Sequence, residues 1–240
     1  DVDWGEASSK IFKTYPNAKQ YKDFRVMLDN QKDIDAVIIA TSDHTHAIIS
    51  MEAMRRGKHV FTQKPLTHTV YESRTLAKAA KDFKVATQMG NQGSASMSLR
   101  RCTEIIRAGA LGQVRDIYQW GLGSVTASEG STEGEDPVPE GFNWDLWVGP
   151  SAMRPFKKDV YHPFKWRSWF DFGNGALGDW GAHIIDTAHE FLNLGLPTEV
   201  DPVKMEGWSP FIFPQASTLV FKFARTVRVK RCSASTLSPP

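Results

Sequence analysis

The chain has 240 residues, 41% of them hydrophobic, which is enough to bury the core of one large or two modest domains. Its 29 basic and 27 acidic residues give a formal net charge of +2, too small to indicate a nucleic-acid or anionic-membrane partner. No apolar run approaches the roughly 20 residues of a membrane helix, and Cys102 and Cys232 supply neither a disulfide framework nor a zinc cluster.

The first half of the chain alternates short apolar runs with longer helical patterns. The runs "DAVIIAT", "KHVFTQ" and "KVATQM" predict strands, and "HAIISMEAMRRG" and "YESRTLAKAAKDF" between them predict helices, the first ending at Gly57. This alternation is typical of βαβ units, and it predicts a parallel sheet.

The second half has a different pattern. The segment "SMSLRRCTEIIRAGALG" predicts a helix, and "QVRDIYQWGLG" predicts a strand. Residues 121–150 predict a solvated loop in which Glu129, Glu133, Glu135 and Asp136 form an acidic patch. A helix is predicted from Ala176 to Leu194, and strands are predicted at "VDPVKMEGW" and "ASTLVFKFARTVRVKRC".

We therefore expect an incomplete α/β Rossmann-like parallel sheet followed by an α+β domain with a mainly antiparallel sheet. The predicted domains are residues 1–111 and residues 112–240.

The glycines of "FDFGNGALGD" have the spacing GxGxxG, but the surrounding sequence does not fit a dinucleotide-binding loop. Such a loop follows a buried strand, whereas the preceding "HPFKWRSWFDF" mixes Lys165, Arg167 and Asp171 with aromatic residues. We therefore reject a phosphate-binding role for Gly173, Gly175 and Gly178.

Ligands of open parallel sheets bind beyond the carboxyl ends of the strands, which selects the loops "TSDHTH", "QKPLTH" and "GNQG". Lys64, directly before Pro65, could polarise a hydroxyl or carbonyl group, although a surface lysine is the commoner case. His44 and His46 are more often capping or packing residues than ligands. Thr41, Ser42, Asn91 and Gln92 could bind a ligand or serve as turn residues.

Asp179, His183 and Asp186 share one face of the predicted helix, since their spacing is i, i+4 and i+7. Two carboxylates beside an imidazole could move protons, or the three groups could satisfy one another in a buried helix. Nearby aromatic residues could stack on a ligand but more often form a core; they are Tyr161, His162, Phe164, Trp166, Trp169, Phe170 and Phe172.

The segments "VFTQKPLTHT" and "GALGDWGAHIIDTAHE" together resemble the Gfo/Idh/MocA family of nicotinamide-dependent oxidoreductases, from Asp1 to about Phe223. The Glu-Lys-Pro tripeptide of that family corresponds to Gln63, Lys64 and Pro65. Its DxxxHxxD motif corresponds to the Asp179, His183 and Asp186 helix face. The segment "HPFKWRSWFDFGNGALGD" resembles a subgroup with a tryptophan and an arginine before the catalytic helix.

The resemblance implies hydride transfer between NAD or NADP, with NAD favoured, and a carbon of a sugar, sugar derivative or cyclitol. His183 would be the general base, Lys64 would stabilise the oxyanion, and Asp179 would orient the pair. Substrate would contact Lys64, Arg167, His183 and Asp186. The implied cofactor-binding residues are Asp1, Thr41, Ser42, His46, Gln63, Lys64, Pro65, Gln92, Trp166 and Arg167. No metal is implied.

The chain departs from the family pattern in three ways. Gln63 replaces a glutamate, which removes a negative charge next to Lys64. Relative to the family, the first strand, glycine loop and first helix are missing before Asp1, which takes the place of the acid that binds the adenosine ribose. The final strands after "FKFAR" are also missing. We therefore expect a fragment or degenerate copy of a longer enzyme, with weakened cofactor binding because the pyrophosphate-binding amides are absent.

Alternative functions follow from the same residues. The scaffold could support NAD-dependent glycosidase chemistry, or it could be a non-catalytic binding or assembly module with exposed strand edges at Leu219 to Val229. The family resemblance also implies a homo-oligomer formed through the C-terminal sheet. The basic cluster Arg225, Arg228, Lys230 and Arg231 is too short to indicate nucleic-acid binding. A cytoplasmic location is the default, and export is compatible with the sequence.

Overall fold

The computed structural model describes residues 1–121 and 132–224. The chain forms two compact units. Of the described residues, the parallel-sheet unit contains 1–90, 132–179 and 207–215, and the antiparallel-sheet unit contains 91–121, 180–206 and 216–224. Glu129, Arg225, Arg228, Lys230, Arg231 and Cys232, named above, lie outside the described residues. The predicted division between residues 111 and 112 stays a prediction.

The parallel sheet contains the three predicted strands in sequential order. These are β1 (Ala36–Ile39), β2 (His59–Gln63) and β3 (Thr87–Gly90). Ala36 of β1 pairs with His59 of β2, and Val60 of β2 pairs with Thr87 of β3, both in parallel register. The carboxyl ends of β2 and β3 therefore meet, since Gln63 lies opposite Gly90.

The connecting helices are α3 (Asp43–Arg55) and α4 (Val70–Asp82), and two shorter helices precede the sheet, α1 (Glu6–Thr14) and α2 (Phe24–Asn30). Helix α3 ends before Gly57, whose φ of +73° suits glycine. Helix α4 begins with a capping box between Thr69 and Glu72.

One face of the sheet packs against these helices. Val37, Ile39 and Val60 join residues of α3 and α4 in one apolar core. The strands alternate these buried residues with exposed ones, and Ile38 is 75% exposed. The sheet therefore buries the face against which both connecting helices pack.

A second core in the same unit is aromatic and includes helix α6 (Trp144–Val148). Trp144 stacks on Trp147 with ring centroids 4.8 Å apart. Most of the predicted aromatic run belongs to this core, as expected, whereas Phe164 and Phe170 are exposed. The core members are Phe142, Trp144, Trp147, Val148, Phe156, Tyr161, Trp166, Trp169, Phe172 and Ile212.

The glycines before and within helix α7 (Gly175–Leu192) have a packing role. No strand leads into them, since a short 3₁₀ helix (Lys165–Ser168) and a turn precede α7. A Cβ at Gly173 would lie 2.5 Å from the Arg167 carbonyl oxygen, and one at Gly175 would lie 2.6 Å from the Phe213 ring. Close backbone packing therefore explains these glycines, and the rejection of a phosphate loop stays a prediction.

The antiparallel-sheet unit contains helix α5 (Met97–Arg107), the later part of α7, and strands β4 (Pro197–Glu206) and β5 (Ala216–Phe223). Val200 pairs with Phe221 in antiparallel register. A register irregularity follows Pro202, which fits the restriction of strand proline to bulges and edges. The two predicted strands are confirmed within the described residues.

The strand predicted at "QVRDIYQWGLG" is wrong for its described part, residues 113–121, which form no strand. Tyr118 is 83% exposed and Trp120 is 74% exposed. Alternating polarity predicts which side chains share a face, but a strand also needs a hydrogen-bonding neighbour. Residues 113–121 pair with no strand among the described residues.

Within residues 1–121 and 132–224, no helix combines the length and apolar character needed to span a bilayer.

Replacing His44 should weaken the acid sensitivity of folding. The buried ring lies between two backbone carbonyls, with Nδ1 3.2 Å from Phe172 O and Nε2 3.0 Å from Trp147 O. Burial lowers its pKa from 6.5 to about 4. Between these values the unfolded chain binds a proton that the folded chain does not, so stability falls as the pH falls. Protonation of His44 should therefore lower the free energy of unfolding by about 3 kcal/mol once the pH has fallen below both pKa values.

Urea unfolding of the wild type and of His44→Gln between pH 7 and pH 4 tests this expectation. The His44→Gln variant should be less stable at pH 7 but should lose less stability on acidification. His59→Gln, at an exposed histidine, is the matched control. Parallel stability curves for the wild type and His44→Gln would contradict the expectation.

Candidate functional site

Lys64 follows the last residue of β2 and forms an ion pair within the parallel-sheet unit. Its Nζ donates to the backbone carbonyl of Asp179 at 2.8 Å and also to Asp179 Oδ1. The two side chains are only 19% and 17% exposed. The interpretation of Lys64 as a surface lysine is therefore wrong, because the side chain is directed at the first turns of α7.

Arg167 lies on the other side of the same carboxylate. Its Nε is 3.7 Å from Asp179 Oδ1, and its guanidinium stacks on the rings of Trp166 and Phe164 at 4.3 and 4.4 Å. Cation–π contacts of this kind hold an arginine in place without using its hydrogen-bond donors. Asp179 is thus flanked by two cations.

Asp43, in the first turn of α3, adds a second carboxylate to this charged group. It is 5% exposed, and burial raises its pKa above 3.8. A hydrogen bond from Asn174 Nδ2 at 3.1 Å and the positive charges of Lys64 and Arg167 oppose this shift. Asn174 Nδ2 also lies 3.3 Å from Thr67 O, so this amide connects the start of α7 to both loops.

His46 joins the loops that follow β1 and β2. Its ring is 1% exposed, with Nδ1 2.8 Å from Pro65 O and Nε2 3.0 Å from Thr41 O. The rings of His44 and His46 each pack against two backbone carbonyls, and a neutral imidazole can donate to only one of the two.

Polar side chains at the ends of β1 and β2 have hydrogen-bonding groups that could bind a ligand. Thr41 is exposed, and its hydroxyl lies 2.7 Å from Thr45 Oγ1, which also donates to Ser42 O at 2.8 Å. Ser42 is the N-cap residue of α3, but its side chain makes no capping hydrogen bond. The half-buried Gln63 amide makes no hydrogen bond with the described residues.

Within the antiparallel-sheet unit, His183 and Asp186 line an open cavity of about 320 Å³. Asn91 Nδ2 donates to Asp186 Oδ2 at 3.0 Å, and the Ser94 hydroxyl donates to the same oxygen. The His183 ring makes no hydrogen bond with described residues, and its ring lies 6.1 Å from that of Trp180. Each carboxylate of the predicted helix face therefore has its own partners, Lys64 for Asp179 and Asn91 for Asp186.

The other predicted site residues have these positions. The Asp1 carboxylate accepts hydrogen bonds from the Asp3 amide at 3.1 Å and the Ser8 hydroxyl at 2.9 Å. Gln92 is exposed in a 3₁₀ turn (Gln92–Ala95), and Trp166 is buried in the aromatic core. Cys102 is an exposed free thiol. No group of three His, Cys, Asp or Glu side chains in the described ranges could hold a metal ion.

Asp43 and Asn174 belong to this charged group, although no sequence pattern singles them out. An acidic residue in the first turn of a helix and an asparagine before a helix are ordinary local signals, which need no tertiary explanation. Only their location in the sequence could have indicated a role. Asp43 lies inside one of the three selected loops, and Asn174 lies between two glycines.

Comparison with known proteins matches two regions of the chain. Residues 2–91 match the Gfo/Idh/MocA "Oxidoreductase family, NAD-binding Rossmann fold", and residues 115–223 match the "Oxidoreductase family, C-terminal alpha/beta domain" of the same group. A levoglucosan dehydrogenase of Pseudarthrobacter phenanthrenivorans is 27% identical over 167 residues, which is 69% of this chain and 35% of the relative.

An inositol 2-dehydrogenase of Salmonella paratyphi B is 31% identical over 114 residues, covering 47% of this chain and 34% of the relative. A solved levoglucosan dehydrogenase, in complex with NADH and levoglucosan, has a TM-score of 0.60 at 22% identity and covers 93% of this chain and 53% of its own. At that identity the likeness supports the Rossmann-type fold alone. The chain thus spans about a third of the curated relatives it matches.

Removing the Asn174 amide should destabilise the protein in a pH-dependent way. Asn174→Ala deprives a buried carboxylate of a donor, which costs about 1.5–3 kcal/mol when the carboxylate is charged. Because that donor lowers the pKa of Asp43, its loss favours the protonated acid. The cost should therefore be smaller at acid pH and should grow as the pH rises above 3.8.

Denaturant unfolding at several pH values checks this expectation, with Asn30→Ala as the matched control. The Asn30 amide is exposed and donates only to Val26 O, at 2.9 Å. A cost for Asn174→Ala that stays constant from pH 4 to pH 7 would contradict a role directed at the Asp43 carboxylate.

Proposed function

The chain belongs to the Gfo/Idh/MocA family of oxidoreductases, and from this we propose that it acts in hydride transfer between a nicotinamide cofactor and a hydroxyl-bearing carbon. The proposed substrates are sugars, sugar derivatives or cyclitols, which is the class named for its levoglucosan and inositol dehydrogenase relatives. NAD is the favoured cofactor, with NADP as the alternative. The observation that carries the proposal is the Lys64–Asp179 ion pair at the carboxyl end of β2.

The residues at the strand ends fit a nicotinamide cofactor by their donor chemistry. The Thr41 and Ser42 hydroxyls and the Gln63 amide have unused hydrogen-bonding capacity, which suits ribose hydroxyls and a carboxamide. When bound, the nicotinamide ring supplies the hydride acceptor or donor. We propose these further residues around it: Asp1, His46, Lys64, Pro65, Gln92, Trp166 and Arg167. His46 would act there by holding the two loops together.

Lys64 is proposed to stabilise the oxygen of the reacting alcohol. An ammonium has three hydrogens, and Asp179 accepts two of them through its backbone carbonyl and its carboxylate. The third can be donated to a substrate oxygen on which negative charge develops. Asp179 would fix the direction of that hydrogen by holding the other two.

His183 is proposed as the general base that takes the hydroxyl proton. Its ring nitrogens are uncommitted among the described residues, and the ring lines the cavity. Asp186 lines the same cavity and would accept hydrogen bonds from substrate hydroxyls. Arg167 is proposed as a further substrate contact.

We also propose the division into a cofactor domain, residues 1–111, and a substrate and oligomerisation domain, residues 112–240. The exposed apolar side chains of β4 and β5 support association through this sheet. Val200, Val203 and Val220 are 48%, 60% and 41% exposed, respectively.

Catalysis should depend on Lys64 and His183. The wild type is mixed with NAD or NADP and with levoglucosan, myo-inositol or D-glucose, and absorbance of the reduced ring is followed. Lys64→Ala and His183→Asn should each lower kcat roughly 100- to 1000-fold, as expected for loss of an oxyanion donor or a general base.

Lys58→Ala is the matched control, because the Lys58 ammonium donates to Lys32 O at 2.9 Å, away from the loops. Absence of both cofactor binding and turnover with every member of the panel would end the proposal. Equal activity of Lys64→Ala and wild type would end the assignment of Lys64.

Association through the C-terminal sheet should be sensitive to charge on its exposed strands. Val203→Asp should lower the molar mass measured by light scattering towards that of one chain, because a buried unpaired carboxylate opposes association. Val70→Asp, at a valine that is 68% exposed on α4, should leave the mass unchanged. A wild-type protein that is monomeric at high concentration would contradict this proposal.

A further inference from the structure

The Asp186 carboxylate is held at only one of its two oxygens. Both Asn91 Nδ2, at 3.0 Å, and the Ser94 hydroxyl donate to Oδ2, while Oδ1 accepts no hydrogen bond from the described residues. Asn91 Nδ2 also lies 3.1 Å from Ser94 Oγ. The carboxylate therefore has one anchored oxygen and one free oxygen, on a residue that lines the cavity.

The surroundings of Asn91 determine the orientation of its amide. Nδ2 faces Ala182 O at 2.9 Å as well as Asp186 Oδ2, and both of these atoms can only accept hydrogen bonds from it. Exchanging the amide oxygen and nitrogen would place an acceptor against two acceptors. The amide must therefore donate towards α7.

This orientation leaves the Asn91 amide oxygen buried without a hydrogen-bond partner among the described residues. Asn91 is 9% exposed, and a buried polar atom without a partner lowers stability. Among the described residues, the Asn91 side chain is therefore oriented by the donations of its Nδ2 alone.

We propose that Asn91 and Ser94 are positioning residues that fix the rotamer of Asp186, so that its free oxygen is presented to a substrate hydroxyl. This inference rests on the proposed function, in which Asp186 contacts the sugar or cyclitol. Asn91 and Ser94 themselves touch no reacting atom. Because Asn91 directly follows β3 and Ser94 lies in the next 3₁₀ turn, residues 91–94 set the direction of an α7 side chain 95 positions after Asn91.

The structural arm of the test does not depend on turnover. Crystal structures of the wild type, Asn91→Ala and Ser94→Ala should show the Asp186 carboxylate rotated or in several conformers in the variants, whereas Ser94→Thr, which keeps the hydroxyl, should preserve its position. Ser94 is exposed, so Ser94→Ala provides the test if Asn91→Ala fails to fold. An Asp186 carboxylate that is unmoved in Ser94→Ala and in every folded Asn91 variant overturns the inference.

The functional arm is a double-mutant cycle on kcat/KM, with whichever of levoglucosan or myo-inositol the wild type oxidises. Asn91→Ala should raise KM roughly tenfold with a smaller effect on kcat, as expected for a lost hydrogen bond to a charged group. In the Asp186→Asn background the same change should have little further effect. Additive losses would overturn the inference, and Asn30→Ala controls for asparagine removal.

If neither probe is oxidised, the proposed function fails and the structural arm alone decides the positioning role.

Discussion

The ion pair between Lys64 and Asp179 is the interaction on which the proposed chemistry depends. One ammonium binds both the carboxylate and the backbone carbonyl of the same residue, which fixes the end of β2 to the first turns of α7. Both side chains are more than four-fifths buried, so the loss of either one would leave the other without its closest charged partner. The fold of the parallel-sheet unit and the direction of the Lys64 ammonium are therefore determined together.

The surrounding charges are compatible with a neutral residue at position 63, where Gln63 replaces the glutamate of the family. Lys64 and Arg167 are balanced by Asp179 and by Asp43, whose burial already raises its pKa. A glutamate at position 63 would add a carboxylate directly before Lys64 in the sequence. The neutral amide adds no negative charge there, and it retains hydrogen-bonding groups.

Local pattern predicted the elements whose signals are local. The three parallel strands and helices α3, α4, α5 and α7 follow from periodicity and from turn glycines such as Gly57, whose positive φ ends a helix. The strand predicted at 113–121 failed because alternation contains no information about a pairing partner. The prediction of strands β4 and β5 was correct because the two strands lie close in sequence and pair with each other.

The site was predictable to a smaller extent, for a physical reason. Lys64 and Asp179 are 115 positions apart, and only the family resemblance associated them before the structure was described. Asn174, Asp43 and Asn91 have no distinctive local signal, because each is an ordinary residue for its helix end or turn. Their roles depend on tertiary hydrogen bonds, from Asn174 to Asp43 and from Asn91 to Asp186. The periodicity of a sequence does not predict such partners.

The two carboxylates of α7 differ in the charge of their partners, and this difference supports different roles for them. Asp179 binds a lysine and lies near an arginine, so its negative charge is largely compensated and it serves to hold a cation. Asp186 receives hydrogen bonds from a neutral amide and a neutral hydroxyl, and no basic side chain of the described residues forms an ion pair with it. Neutral donors orient a carboxylate without cancelling its charge, so its free oxygen remains a strong acceptor. A carboxylate paired with a cation, such as Asp179, is suited to orienting an ammonium. A carboxylate held by neutral donors, such as Asp186, is suited to binding an uncharged hydroxyl.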